Sequence, residues 1–388
     1  MLLDAHDSVN LSTFLSDYWQ KKPLLIRGAL PAFEDFLSPE ELAGLACEED
    51  VESRLVFNNA SGWEMKQGPF SERDFTFLPE SNWTLLVQSV DHWLPEVQSL
   101  LREVDFIPSW RLDDVMISYA AKGGGVGPHF DYYDVFLVQG QGSRQWQIGA
   151  ACDSSTPLNT DSGLKILEEF HAEQQVDLHQ GDVLYIPAGI SHWGTALDAG
   201  LCYSIGFRAP DLADLLTAFS DEVAFSLPAD IRYRDPALIP NASPGEITGD
   251  ALKQVKGLIQ QTLQDDGTIL RCFGRLMTLP RIPDLIQEPE QQLTPAQMAV
   301  MLQKGVILAR NSAARFACHT LEDRFVFFAS GECQELPKTD KLMALNTEIQ
   351  SAVGRPLNLS PFQRNEDCLN LLTGLYNHGS LVRATGGN

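Results

Sequence analysis

A histidine and an aspartate one residue apart, with a second histidine further on, are the residues of this 388-residue sequence best suited to do chemistry. In Gly123-Gly124-Gly125-Val126-Gly127-Pro128-His129-Phe130-Asp131 a flexible, glycine-rich loop runs into what reads as a strand carrying His-x-Asp. Strand side chains alternate, so His129, Asp131 and Tyr133 point to one face, and an imidazole and a carboxylate there can share a metal. A third ligand is offered by the segment from Gly181 to His192, Gly-Asp-Val-Leu-Tyr-Ile-Pro-Ala-Gly-Ile-Ser-His. It reads as a strand entered by a Gly-Asp turn and left through a Pro-x-Gly bend, which sets His192 at a barrel mouth. Two histidines and one carboxylate on one face of an octahedron leave three adjacent positions for a chelating substrate and O2, the arrangement of non-haem iron(II) enzymes. Zinc is more often closed by a fourth protein ligand. His92, His171 and His179 read as structural or exposed, and His6, His319 and His378 lie outside this region.

An oxygenase of this kind uses a dicarboxylate co-substrate, whose distal carboxylate needs a cation helped by a hydroxyl. Arg144 alternates with Trp146 and Ile148, so it points inward, where an arginine must be paired. Asp114, Met116 and Ser118 share one face of another strand, and Ser118 is the hydroxyl expected beside Arg144. The remaining candidates are Tyr133 on the His129 face, and Cys202 and Ser204 on the face of the last strand opposite Tyr203, Ile205 and Phe207. A carboxylate, a thioether, an aromatic ring and a hydroxyl suit a guanidinium with its methylene stem. The expected pocket for a cationic target is therefore Asp114, Met116, Tyr133 and Ser204.

The elements that must position these groups lie between about residues 114 and 210. Short alternating runs separated by Gly, Asp and Pro read there as strands at 115–120, 134–139, 145–148, 175–178, 183–186 and 201–208, the signature of an antiparallel sandwich or barrel. Before them, apolar spacing predicts a helix over 11–20, a strand at 24–26, and a helix opened by the Ser38-Pro39-Glu40-Glu41 cap. After Pro210 the period is helical. Leu212, Leu215, Leu216, Phe219 and Val223 line one face, and a second stretch spans 250–277. These helices can pack on a second copy or back on the β region. Pro280, Pro283 and Pro289 mark a linker. Beyond it, a helix from Thr294 to Leu302, strands at 306–308 and 325–328, and helices at 342–353 and 367–376 suggest a winged-helix-like module or a plain α+β domain. The expected division is 1–210, 211–279 and 280–388.

Lys plus Arg number 28 against 52 Asp plus Glu, a net charge of -24. Such a surface repels phosphate, disfavours direct nucleic-acid binding and attracts basic proteins. Solubility alone also accounts for an acidic chain. The 7 cysteines form no C-x-x-C pair, and neither a secretory leader nor an 18-residue apolar run is visible, so a cytoplasmic, membrane-free protein is expected.

Taken together, Tyr18-Trp19-Gln20-Lys21-Lys22-Pro23-Leu24, Met116-Ile117-Ser118, Gly123 to Asp131, Tyr133-Asp134-Val135-Phe136 and Gly181-Asp182-x-Leu184-Tyr185-Ile186-Pro187 resemble the JmjC-type ribosomal oxygenases, and among them the bacterial ribosomal-protein arginine hydroxylases. The resemblance implies a mainly β JmjC/cupin double-stranded β-helix, or jelly roll, with flanking helices, then a helical dimerisation module and a winged-helix-like C-terminal domain. It implies Fe(II) at His129, Asp131 and His192, 2-oxoglutarate at Ser118 and Arg144, and O2 as oxidant. The implied target is an arginine Cβ of the basic large-subunit ribosomal protein L-sixteen, with succinate and CO2 as co-products, and the implied state is a homodimer. Cys202 departs from the pattern, because related oxygenases often carry an amide or hydroxyl at that place. The metal set alone does not separate arginine from histidine or asparagine hydroxylation, or from demethylation. A non-catalytic acidic module that escorts a basic protein is the alternative from another class.

Overall fold

Short apolar runs between Gly, Asp and Pro turns fold into two facing antiparallel sheets. The computed structural model describes residues 9–60, 62–228, 230–236, 238, 245–263 and 265–384. The strands of this part are β1 (Leu24–Ile26), β2 (Ser53–Asn59), β3 (Gly62–Gln67), β4 (Trp83–Val87), β5 (Leu112–Ala120), β6 (Val135–Gln139), β7 (Ser143–Ala151), β8 (Leu158–Asn159), β9 (Ile166–Leu167), β10 (Gln174–His179), β11 (Val183–Ile186), β12 (Ile190–Ala196) and β13 (Gly200–Phe207). The larger sheet runs β1-β11-β6-β13-β5-β4-β2-β3 and the smaller β10-β7-β12, with β8 and β9 pairing apart. Two antiparallel sheets face to face are the expected jelly roll.

Both faces of the larger sheet are covered, which is why β6 and β11 are buried at every position and apolar at all but Gln139. Val135, Leu137, Leu184, Ile186 and Cys202 face the smaller sheet and pack with Trp146, Ile148 and Leu178. Their strand neighbours Phe136, Val138, Tyr185, Tyr203 and Phe207 face the other way, onto Phe14 and the N-terminal helical segments.

Three expectations are corrected. Residues 11–20 form one α-helical turn, Leu11–Thr13, and then a π-helical turn, Phe14–Tyr18. The wider turn lets both Phe14 and Trp19 reach the Tyr185 ring, at 5.1 and 5.6 Å. The His-x-Asp segment is not a regular strand: one isolated bridge joins His129 to His192, and Asp131 lies in coil, its carbonyl accepting the Gly189 N–H at 2.7 Å. After the bend His192 lies on a further strand, β12, and neither β12 nor β2 to β4, which extend the sheet beyond β5, is among the strands expected from sequence. The 250–277 stretch is two helices. We label α1 Leu212–Ser226, α2 Gly249–Thr262 and α3 Asp266–Thr278. Asp265 starts α3 by accepting the Gly267 N–H at 3.1 Å.

The C-terminal part holds a three-stranded sheet, β15 (Phe316–Thr320), β16 (Arg324–Ala329) and β17 (Glu332–Pro337), and the pair β14 (Leu308–Arg310) with β18 (Leu381–Arg383). The helices Pro295–Gln303, Asp340–Ser351 and Glu366–Asn377 surround a core around Phe325 and Phe327. Across the proline-rich stretch read as a linker, α3 packs on the three-stranded sheet, with Gly274 against the Phe328 ring. On its other side Phe273 meets Trp110 edge-on at 5.5 Å. No helix among the described residues is long and apolar enough to cross a membrane.

Candidate metal and substrate site

His129, Asp131 and His192 offer ligand atoms that all lie within 4.8 Å of one another. The bridge between the two histidine backbones, with N···O distances of 3.0 and 2.8 Å, fixes their spacing. His129 Nδ1 lies 2.9 Å from the Gly127 carbonyl and His192 Nδ1 2.9 Å from that of Ile190. Each ring therefore donates its Nδ1–H to the backbone and keeps the Nε2 lone pair for the cavity. The two Nε2 atoms stand 3.9 and 3.7 Å from Asp131 Oδ2. Burial and the adjacent His129 push His192 down to about 4, against the pull of Asp131, so its ring is neutral at neutral pH. A neutral imidazole is the form that binds a metal.

The glycine-rich approach is required by close packing rather than by flexibility. A Cβ on Gly125 would lie 2.3 Å from the Gly194 carbonyl oxygen on β12, and Gly127, at φ +81°, would meet Trp63 and Ile166.

These residues open into a cavity of about 460 Å³ between the two sheets, which also takes in all the other expected site residues: Asp114, Met116, Ser118, Tyr133, Arg144 and Ser204. Strand register explains the grouping. Ser118 is paired with Cys202 and Met116 with Ser204 across β5 and β13, while Arg144 reaches in from β7 on the facing sheet. Arg144 is buried, donates from Nη1 to Ser118 Oγ at 3.2 Å, and has a buried Nε with no protein partner. A buried guanidinium with donors to spare is suited to a carboxylate. Cys202 lies in the inner core near Arg144, and burial pushes its thiol up, so it stays protonated.

Asp114 sits inside β5, not at a turn before it. Its Oδ2 accepts from Gln88 Nε2 at 2.8 Å, the Ser89 N–H at 2.9 Å and Ser89 Oγ at 2.8 Å. Ser89 takes φ 54° to aim both donors there, a left-handed conformation few non-glycine residues adopt. Oδ1 faces Gly206, where a Cβ would come within 3.5 Å of it, and both residues line the cavity. Tyr133 stretches from a half-exposed ring to a hydroxyl beside Asp131, and burial followed by that carboxylate pushes its pKa up. Gln88, Glu52, Asp113 and Arg281 also line this wall, with Ser89 behind it on Asp114, and sequence reasoning misses all five because none sits in a pattern that marks a site. His92, read as structural or exposed, is buried, and its carbonyl accepts a 2.7 Å bond from Ser312 of the C-terminal part.

Comparison with known proteins fits this geometry. Residues 99–215 match the JmjC domain family and residues 261–382 the ROXA-like winged helix. The chain is 35% identical over 342 residues to the ribosomal protein uL16 3-hydroxylase of Escherichia coli (strain K12), spanning 88% of this chain and 90% of that protein. The chain belongs to the JmjC ribosomal oxygenase family. A probable ribosomal oxygenase of Haemophilus influenzae is 46% identical to this family member over 210 residues, 53% of the chain and 52% of that protein. Among solved structures, the Escherichia coli ribosomal oxygenase YcfD in complex with cobalt and 2-oxoglutarate is similar to it with a TM-score of 0.84 and 33% identity, over 97% of this chain and 99% of that one. An X-ray structure of the same Escherichia coli protein gives a TM-score of 0.85 at 34% identity. The oxygenase thus combines a JmjC/cupin fold with a ROXA-type winged helix.

Proposed function

We propose that this chain is a cytoplasmic Fe(II)- and 2-oxoglutarate-dependent oxygenase that hydroxylates Cβ of an arginine side chain in the large-subunit ribosomal protein uL16. The observation that carries the reading is the convergence, in one cavity, of a complete His-Asp-His ligand set, a buried arginine with a spare donor, and a carboxylate with one oxygen left open. His129, Asp131 and His192 would hold the metal, which, with 2-oxoglutarate and O2, supplies the oxidising chemistry that inserts one oxygen atom and yields succinate and CO2. Arg144 and Ser118 hold the distal carboxylate of the co-substrate. Asp114 Oδ1 takes the target guanidinium, Tyr133 and Met116 flank its stem, and Ser204 lies beside Met116. Trp146, Val135 and Leu137 wall the same cavity and keep water from the reacting carbon. The names of the Escherichia coli relatives support the uL16 assignment and the co-substrate. The net charge of -24 supports contact with a basic protein rather than with nucleic acid.

Asp114→Asn tests the arginine assignment. The three donors held by Gln88 and Ser89 orient the new amide with its oxygen toward them, which turns its NH2 toward the incoming guanidinium. Hydroxylation of uL16 should fall by at least about 30-fold, while 2-oxoglutarate consumption without target falls far less. Equal activity on uL16 in both proteins would remove Asp114 from the target site.

A second copy of the chain is the proposed cover for α1 and α2. Leu212 and Leu216 on α1, with Leu252, Val255 and Ile259 on α2, are all exposed, and α2 has no buried residue. A helix of 14 residues with no packed face is marginal in water. Ile259→Glu is expected to turn a dimer into a monomer in light scattering; an unchanged mass would place the interface elsewhere.

A further inference from the structure

Arg281 comes from the bend after α3, outside both facing sheets, yet it lines the cavity. Its Nη1 lies 2.9 Å from Asp113 Oδ2 and its Nη2 3.4 Å from Glu52 Oε2. Arg315 of the C-terminal part takes the other oxygen of Asp113, with Nη2 2.8 Å from Oδ1, and Arg208 Nε stands 3.5 Å from the same oxygen. Three carboxylates, Glu52, Asp113 and Asp114, thus share one wall, and two of them are held by arginines. We propose that Arg281 is a selectivity residue of the pocket: by occupying Asp113 and Glu52 at the rim, it reserves the open oxygen of Asp114 for the target cation.

The physical reason is competition. A guanidinium entering a wall where Glu52 and Asp113 Oδ2 stood uncovered would have several places to bind, and in the proposed reading only the place at Asp114, on β5 with Met116 and Ser118, is productive. Burial, and then the neighbouring Asp113, push Asp114 up, so its charged form calls for a cation beside it. Burial would raise Asp113, but Arg315, Arg281 and Arg208 hold it below the usual carboxylate value, so it is ionised and attractive unless paired. Burial would lower Arg281, but Asp114, Asp113 and Glu52 together hold it above the ordinary arginine value. The C-terminal part thereby contributes to target choice, although its strands and helices lie outside the cavity.

The inference rests on the reading of Asp114 as the target site, and one set of assays on purified full-length protein with uL16 separates the two. In Arg281→Gln, Glu52 and the released Oδ2 of Asp113, whose Oδ1 stays with Arg315, should bind the target unproductively. Non-productive binding lowers kcat and KM together and leaves kcat/KM nearly unchanged, here by about fivefold, the worth of one partly exposed charge pair. Arg281→Lys should restore much of both, and Glu52→Gln in the Arg281→Gln background should recover part by removing one decoy. A displaced Asp114 or a weakened fold would instead lower kcat/KM, and that result overturns the inference, as do unchanged kcat and KM. Wild-type protein that does not hydroxylate uL16 overturns the target reading and the inference together. Wild-type activity with a silent Arg281→Gln overturns the inference alone.

Discussion

Alanine at His129 or Asp131 should leave less than about one-hundredth of wild-type turnover, together with a loss of bound divalent metal, because two ligands hold a first-row metal far more weakly than three. Both side chains are partly exposed at the cavity and neither carries a packed core, so the variants should fold normally. His192→Ala is a less clean test, because that ring is buried against Trp146, with centroids 5.8 Å apart, and its loss leaves a void. The measurements are metal content after dialysis and 2-oxoglutarate decarboxylation. Near-normal decarboxylation in either variant would refute the ligand assignment.

Arg144→Ala is expected to raise the KM for 2-oxoglutarate by more than about 30-fold, the effect of removing about 2 to 5 kcal/mol of buried charged hydrogen bonding. Metal content should stay close to wild type, since Arg144 is separated from the ligand set by Trp146 on β7 and donates to Ser118 rather than to a metal ligand. Steady-state kinetics with varied 2-oxoglutarate decide the matter. A KM within about twofold of wild type would move the carboxylate receptor elsewhere. Arg144→Lys should recover little, because a lysine cannot keep the Ser118 contact and also present a second planar donor.

Much of the site could be read from sequence because its chemistry depends on residue type and its geometry on strand alternation. His129, Asp131 and His192 are distinctive types beside turn signals, and period-2 spacing puts Asp114, Met116 and Ser118 on one face of β5, opposite Ser204 on β13. Arg144 and Ser118 were paired on the same reasoning and stand at hydrogen-bond distance. Residues that act through a neighbour were not legible. Gln88 and Ser89 hold Asp114 from the end of β4, and nothing local marks them, because the signal is a left-handed serine backbone. Arg281 reaches the cavity from 167 positions beyond Asp114, along a route set only by how α3 packs on the C-terminal sheet. The same limit applies to the fold. The jelly-roll strands with continuous apolar runs were visible, whereas β2 and β3, at the sheet edge with mixed faces, were not. The π-helical turn at Phe14–Tyr18 follows from aromatic packing on Tyr185, which helical spacing does not register.

The proposed reaction of this pocket is the oxidation of an arginine of uL16 at the expense of 2-oxoglutarate. The most direct measurement is the mass of uL16 after incubation with the purified chain, Fe(II), 2-oxoglutarate and O2, with succinate counted in the same reaction. Expected is that uL16 gains the mass of one oxygen atom, mapped by fragmentation to an arginine side chain, with one succinate formed per oxygen inserted. Succinate formed with no mass gain on uL16, or an oxygen mapped to any residue other than arginine, would contradict it.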